Sequence, residues 1–171
     1  MTTIYTIGHS NHEPDNFLQL LRLAKIEALV DIRSNPNSSW VLYAKKQDLK
    51  KLLQSAGIKY LYMGDVLGGQ PSDPECLDPQ TGKIDYQLIQ RKDSFQQGIT
   101  RVINGCKKYR ICLMCAEENP AHCHRSLLVS DTLSRKGINV LHIRGDGRIQ
   151  TDEELSKERA GVPTSQQRFS L

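Results

Sequence analysis

The stretch Arg110-Ile111-Cys112-Leu113-Met114-Cys115-Ala116, followed by Glu117-Glu118-Asn119-Pro120-Ala121-His122-Cys123-His124-Arg125-Ser126, decides how the chain folds. Residues 111–116 form an apolar run without a charge, and a strand of that kind is buried on both faces at the centre of a parallel sheet. The ten residues after it are polar and reactive. Leu127, Leu128, Val129 and Leu133 then fall at helical spacing before a stop at Gly137, and Asn139-Val140-Leu141-His142-Ile143 is again strand-like. Strand, reactive loop, helix and strand make a βαβ unit with its chemistry at the carboxyl end of the first strand.

The same rhythm extends toward the N-terminus. Thr3-Ile4-Tyr5-Thr6-Ile7 reads as a strand ending at Gly8-His9-Ser10, and Asp15 is placed to cap a helix with an apolar stripe of Phe17, Leu18, Leu20, Leu21 and Leu23. Ala28 to Arg33 reads as a second strand, stopped by Pro36, which has no N–H to give to a ladder. A helix over Gln47–Ala56 ends at Gly57, and Ile58–Tyr62 is a third strand running into Leu67-Gly68-Gly69. Gln70–Lys83 carries turn residues over a length that suits a loop or lid, and a helix over Phe95–Asn104 precedes the central strand. The expected fold is α/β: a single three-layer domain over residues 1–147, with a mostly parallel central sheet flanked by helices. Residues 148–171 are expected to add a short helix, opened by a Thr151/Glu154 capping box, and a mobile tail.

Bulk properties narrow the class. The chain has 171 residues, 38% hydrophobic and 25% charged, and a net charge of +4, which suits one soluble globule and favours anionic partners only weakly. No apolar run reaches the roughly 20 residues needed to span a bilayer, and the first residues lack the pattern of a signal peptide, so a cytoplasmic location is expected. Five cysteines, four of them between residues 106 and 123, read as thiols, core residues or metal ligands rather than disulfides.

In open parallel sheets, ligands bind outside the carboxyl ends of the strands. That rule selects His9 and Ser10 after the first strand, Asp31 and Arg33 on the second, Cys115 and Glu117 after the central one, and His142 with Arg144 at the last, while Gly68 and Gly69 after the third are a weaker signal for close backbone approach to a ligand. His124, Arg125 and Ser126 join them at the start of the next helix. A thiol near a helix start and an arginine is pushed toward thiolate, which makes Cys115 the candidate nucleophile. His9, Asp31 and Glu117 are the remaining catalytic candidates. Ser10, Arg33, Gly68, Gly69, His124, Arg125 and Ser126 are candidates for holding an anionic substrate. Asp31 and Arg33, two apart, face one side of their strand, and a mutual ion pair competes with a catalytic role. A metal held by Cys115, His122 and His124 is the weaker alternative, because separated ligand pairs are missing. The dinucleotide fingerprint and the Walker motif are both absent, and no cofactor is indicated.

Thr6-Ile7-Gly8-His9-Ser10, Val30-Asp31-Ile32-Arg33-Ser34-Asn35-Pro36, Leu67-Gly68-Gly69, Met114-Cys115-Ala116-Glu117 and Cys123-His124-Arg125-Ser126, in this order, resemble the domain-of-unknown-function 488 family from Ile4 to about Gly147. The resemblance implies a compact cytoplasmic α/β domain and supplies no reaction. After Ser34 the chain departs from the family pattern, with Trp40-Val41-Leu42-Tyr43-Ala44 where a basic and aromatic run is expected. A fainter likeness joins the Asp-x-Arg strand and the strand-Cys-loop-Arg-Ser-helix unit to rhodanese-like domains. Nine residues lie between Cys115 and Arg125, too many for the tight anion cradle of those enzymes.

The residues therefore point first to an enzyme, a cysteine-dependent transferase or hydrolase, taking an anionic small molecule or nucleotide in a cleft at the strand ends. One rival is a nucleic-acid module using Lys45, Lys46, Lys50, Lys51, Lys107, Lys108 and Arg110, with Trp40 and Tyr43 for stacking. The other is a metal-dependent hydrolase. No membrane partner is expected.

Overall fold

A computed structural model describes residues 2–161 and the backbone of residues 167–168. Its centre is the sheet read from the sequence. β1 (Thr3–Gly8), β2 (Ala28–Asp31), β3 (Lys59–Tyr62), β4 (Ile111–Cys115) and β5 (Asn139–Ile143) are parallel, and β4 lies between β2 and β1. All five residues of β4 are buried. Their side chains alternate between two cores: Ile111, Leu113 and Cys115 join one, and Cys112 and Met114 the other. The apolar run is continuous because both faces of this strand are covered.

One core receives α1 (Pro14–Leu23) and α2 (Lys46–Ser55) through Phe17, Leu21, Leu49 and Leu53. The opposite core receives α3 (Gly64–Leu67), α4 (Tyr86–Gln90), α5 (Asp93–Gly105) and α6 (Asp131–Arg135) through Leu67, Ile89, Phe95, Ile99 and Leu133. Two helical layers thus enclose one sheet. The chain leaves β2 toward α2 on one face and leaves the adjacent β4 toward α6 on the other. The two loops separate and open a crevice at the carboxyl ends, the geometry of a topological switch point.

Several local expectations need correction. Asp15 is not the cap of α1: the cap is Glu13, with Pro14 in the first turn, where a missing N–H costs nothing, and Asp15 sits in that turn beside the positive helix end. β2 ends at Asp31 rather than Arg33, although the Ile32 N–H still donates to Met114 O. The stretch after Gly69 is not uniformly irregular, since Pro74–Cys76 forms a 3-10 turn and Leu77 bridges Ile84.

The segment after β4 enters its helix through a π-helical turn, Arg125–Ser130, that runs into α6. Gly137 then reverses the chain at φ +77°. β6 (Arg148–Thr151) pairs antiparallel with β5, so the sheet continues past residue 147, and α7 (Asp152–Arg159) carries the expected Thr151/Glu154 capping box. A two-residue strand, β7 (Gln167–Arg168), edges β6. The expected mobile tail otherwise lies outside the described residues.

Candidate active site at the carboxyl edge

A cleft of about 230 Å³ opens between the ends of β2 and β4. Arg33, Ser34 and Asn35 line it from the β2 loop, Gly69 and Gln70 from the β3 loop, Tyr86 from α4, and Cys115, Ala116, Glu117, His122, Cys123 and His124 from the β4 loop. This volume is below the roughly 300–1,000 Å³ of pockets that enclose drug-sized ligands, so it suits a small molecule or one end of a larger one. Of the residues expected from sequence, Arg33, Gly69, Cys115, Glu117 and His124 face this space. His9, Asp31, Arg125 and Ser126 stand behind it. Ser10 lies on the neighbouring loop at a positive φ of 45°, with its N–H on Ala116 O at 2.8 Å. Gly68 packs under Ser34, where an added Cβ would meet the Ser34 hydroxyl at 2.2 Å.

On one side of the sheet edge the carboxylate of Asp31 and the ring of His9 are fully matched. Asp31 is fully buried and receives a fork from Arg33, Nε to Oδ1 at 2.9 Å and Nη2 to Oδ2 at 2.7 Å. The Arg33 backbone N–H and the Tyr60 hydroxyl complete the carboxylate at 3.2 and 2.8 Å. Arg33 Nη1 then donates to His9 Nε2 at 3.2 Å, while His9 Nδ1 donates to Ser10 O at 2.9 Å. This assigns the neutral Nδ1–H tautomer, and burial holds the His9 ring below the usual histidine range. Both ring nitrogens are thereby occupied. A guanidinium has five N–H bonds and three are used here, leaving two for the cleft.

The other side is built around sulfur. Cys115 Sγ lies 2.9 Å from Cys123 Sγ, and Cys123 Sγ lies 3.9 Å from His124 Nδ1. His124 Nε2 donates to Ile32 O at 3.0 Å, so its Nδ1 is the bare nitrogen, and burial pushes the ring below the usual histidine range. Behind the thiols is Arg125, wholly buried, whose Nη2 donates to Glu118 O at 2.7 Å while Nε and Nη1 meet no partner. Among the described residues no carboxylate pairs with it: Glu118 is held by Arg144 and the Gly145 N–H. Burial opposes a charge on Cys115, but the Cys123 thiol, the Arg125 guanidinium and the backbone at Glu117 outweigh it and pull the thiol down to about 7. Cys123 moves the opposite way, held in its thiol form by its bond to Cys115 and by burial.

Glycines set how closely these pieces approach. A Cβ on Gly8 would lie 1.8 Å from Glu117 O, and one on Gly69 would lie 2.5 Å from His124 Cβ. Gly8 thus lets the β1 loop press against the β4 loop, and Gly69 seats the His124 ring. Ser126 faces away from the cleft and receives a hydrogen bond from Arg159. Sequence reading passed over Cys123 as a partner for Cys115, and Ser34, Asn35, Gln70 and Tyr86 as cleft walls. The eight-residue spacing of the two cysteines was the available signal. Trp40 is 95% exposed. Arg110 precedes β4, at the edge of the sheet opposite the cleft, where it donates to Ala24 O and covers the Tyr5 ring.

Among the described residues no three His, Cys, Asp or Glu side chains group as metal ligands, and no helix is long and apolar enough to cross a membrane. His122 is exposed, and His124 spends one nitrogen on a backbone carbonyl. The family model described as Domain of unknown function DUF488 matches residues 13–132. The chain belongs to the DUF488 family. No curated protein matches it. The DUF488 match contains Asp31, Arg33, Gly69, Cys115, Cys123, His124 and Arg125, while His9 on β1 precedes it. DUF488 membership carries no reaction with it, so activity rests on the geometry of the cleft.

Proposed function

We propose that the protein is a cysteine-dependent transferase or hydrolase acting on a small anionic substrate, with Cys115 as nucleophile. The observation that carries this reading is Arg125: a buried guanidinium without a carboxylate partner is costly unless a negative charge is supplied nearby, and a Cys115 thiolate supplies one. Cys115 would attack the electrophilic atom of the substrate and displace a leaving group, and an acceptor or water would then release the adduct.

Arg33 is the anion clamp in this scheme. Asp31 and His9 hold it through three of its N–H bonds, so the other two are already aimed when the substrate arrives, which lowers the ordering cost of binding. His9 and Asp31 act here as positioning residues rather than as proton carriers. Glu117, exposed at the rim, is the group available for proton exchange with an incoming acceptor. The phosphate end of a nucleotide fits the cleft, with the rest of that molecule outside it.

Alkylation with iodoacetamide at neutral pH, resolved to single cysteines by fragment mapping, tests the reading. Cys115 is expected to react at least tenfold faster than Cys112 or Cys106, both of which burial pushes up, and millimolar phosphate or sulfate is expected to slow it. Arg33→Lys should remove that protection while leaving Cys115 reactive. Cys115 reacting no faster than Cys112 would overturn the nucleophile. Anion-insensitive labelling, together with tight single-strand binding lost in Lys50→Ala or Trp40→Ala, would favour a nucleic-acid module instead.

A further inference from the structure

We propose that Cys115 and Cys123 are a redox pair that reduces a small hydroperoxide in the cleft and closes to a disulfide. The proposal deepens the reading of Cys115 as nucleophile and rests on it. It is carried by a feature that group transfer through a single cysteine leaves unused: a second buried thiol in contact with the first, both lining the same cleft. A disulfide closes at about 2.05 Å, so the two sulfurs at 2.9 Å are less than about 1 Å from bonding. Two thiols that merely filled the core would not also need a bare imidazole nitrogen and an unpaired guanidinium beside them.

Each step has a group in place. The Cys115 thiolate attacks the terminal oxygen of the hydroperoxide, forming an S–O bond and breaking the O–O bond. The alkoxide, or hydroxide from hydrogen peroxide, leaves and takes a proton from water, and Cys115 is now a sulfenic acid, oxidised by two electrons. The Cys123 thiol is at that point no longer bound to a thiolate. His124 Nδ1, kept free because Nε2–H is committed to Ile32 O, receives its proton. The Cys123 sulfur attacks Cys115, the S–S bond forms, and the sulfenic hydroxyl leaves as water with the proton returned from His124. An external dithiol then reduces the disulfide by two exchange steps, becoming a disulfide itself and restoring both thiols. Arg125, which cannot lose its proton, favours thiolate at Cys115 whenever that sulfur is reduced.

The two cysteines fall in one tryptic peptide, residues 111–125, together with Cys112, and differential alkylation with fragment mapping resolves them. After one equivalent of hydrogen peroxide, the folded full chain should lose two of its five free thiols. The peptide should be two hydrogen masses lighter, with the link mapped to Cys115 and Cys123, and dithiothreitol should restore it. Cys123→Ser and Cys123→Ala should both stop at a sulfenic acid on Cys115 that dimedone traps. Cys115→Ser should consume no peroxide. If no Cys115–Cys123 link forms while Cys115 still alkylates fast and phosphate protects it, the redox pair is overturned and the nucleophile reading stands. If Cys115 resists both reagents, both fall. A link that uses Cys112, Cys106 or Cys76 instead also overturns the proposal.

Discussion

Two arginines, Arg33 lining the cleft and Arg125 behind it, stand in opposite circumstances. Arg33 is fork-bonded to Asp31, and a third N–H goes to His9. Arg125 is more deeply buried and has one backbone carbonyl. Both guanidiniums have left water, and only the first has been compensated within the protein. A compensated buried charge makes a rigid part, because every change in it leaves a partner orphaned. An uncompensated one stores a demand for negative charge that a neighbouring thiol can meet. On the proposed function, the matched cluster is the frame that aims the clamp and the unmatched one is where reactivity resides.

Substitutions that orphan a charge in the matched cluster should have the largest effect. Asp31→Ala leaves Arg33 buried without its carboxylate, and Arg33→Met leaves Asp31 a buried carboxylate with only the Tyr60 hydroxyl and the residue-33 backbone N–H. Each is expected to lower stability by about 3–5 kcal/mol in urea unfolding. Arg125→Met, of similar size and equally buried, should shift stability by under about 1 kcal/mol in either direction, since an isolated buried charge is replaced by an apolar chain. Equal losses at Arg33 and Arg125 would dissolve the contrast.

Between these extremes lies Gly8→Ala. Its Cβ would strike the Glu117 carbonyl, a backbone atom that cannot swing aside, and overpacking of this kind costs about 1–3 kcal/mol. Thermal unfolding measures it, and a slower alkylation of Cys115 should accompany the loss, because the β4 loop is what moves. An unchanged melting temperature would mean that the two loops are not in firm contact.

The smallest effect is on pH dependence. His9, His124 and His142 are all held below the usual histidine range by burial. The unfolded chain therefore binds more protons than the folded one below about pH 6.5, and stability should fall as the pH drops below that value. Cys115 has the same sign in a higher window. Its lowered value makes a stabilising contribution that is complete above the ordinary thiol range and lost as pH falls through about 7. Urea midpoints should rise with pH between 5 and about 8, and Cys115→Ser should flatten the upper part of that rise, while above the ordinary thiol range the raised Cys106, Cys112 and Cys123 act in the opposite direction.

How much of this could be read beforehand depends on the range of the interactions. β4 was legible because both its faces are apolar, and the Asp31–Arg33 pair was legible because its partners are two residues apart on one strand. Gly8 and Gly69 stood out beside reactive residues, although which backbone or ring they admit is a tertiary fact. The antiparallel β6 and the short α3 and α4 were not legible: four or five residues carry too little periodicity, and packing against β5 and α5 is what fixes them. From sequence, Arg125 is a candidate donor to an anion at a helix start. The π-helical turn buries it instead, an outcome no local pattern announces. Cys123 was not legible as a partner of Cys115 because their meeting depends on the return path of residues 116–122.

The pH profile of Cys115 alkylation, compared between the native chain and Arg125→Met, bears most directly on the claim that an unpaired buried guanidinium activates this thiol. The native profile should rise with a midpoint near 7, and the variant profile should move up by at least one pH unit with its fold intact by circular dichroism. Identical midpoints in the two proteins would contradict the account, because the thiolate would then owe nothing to Arg125.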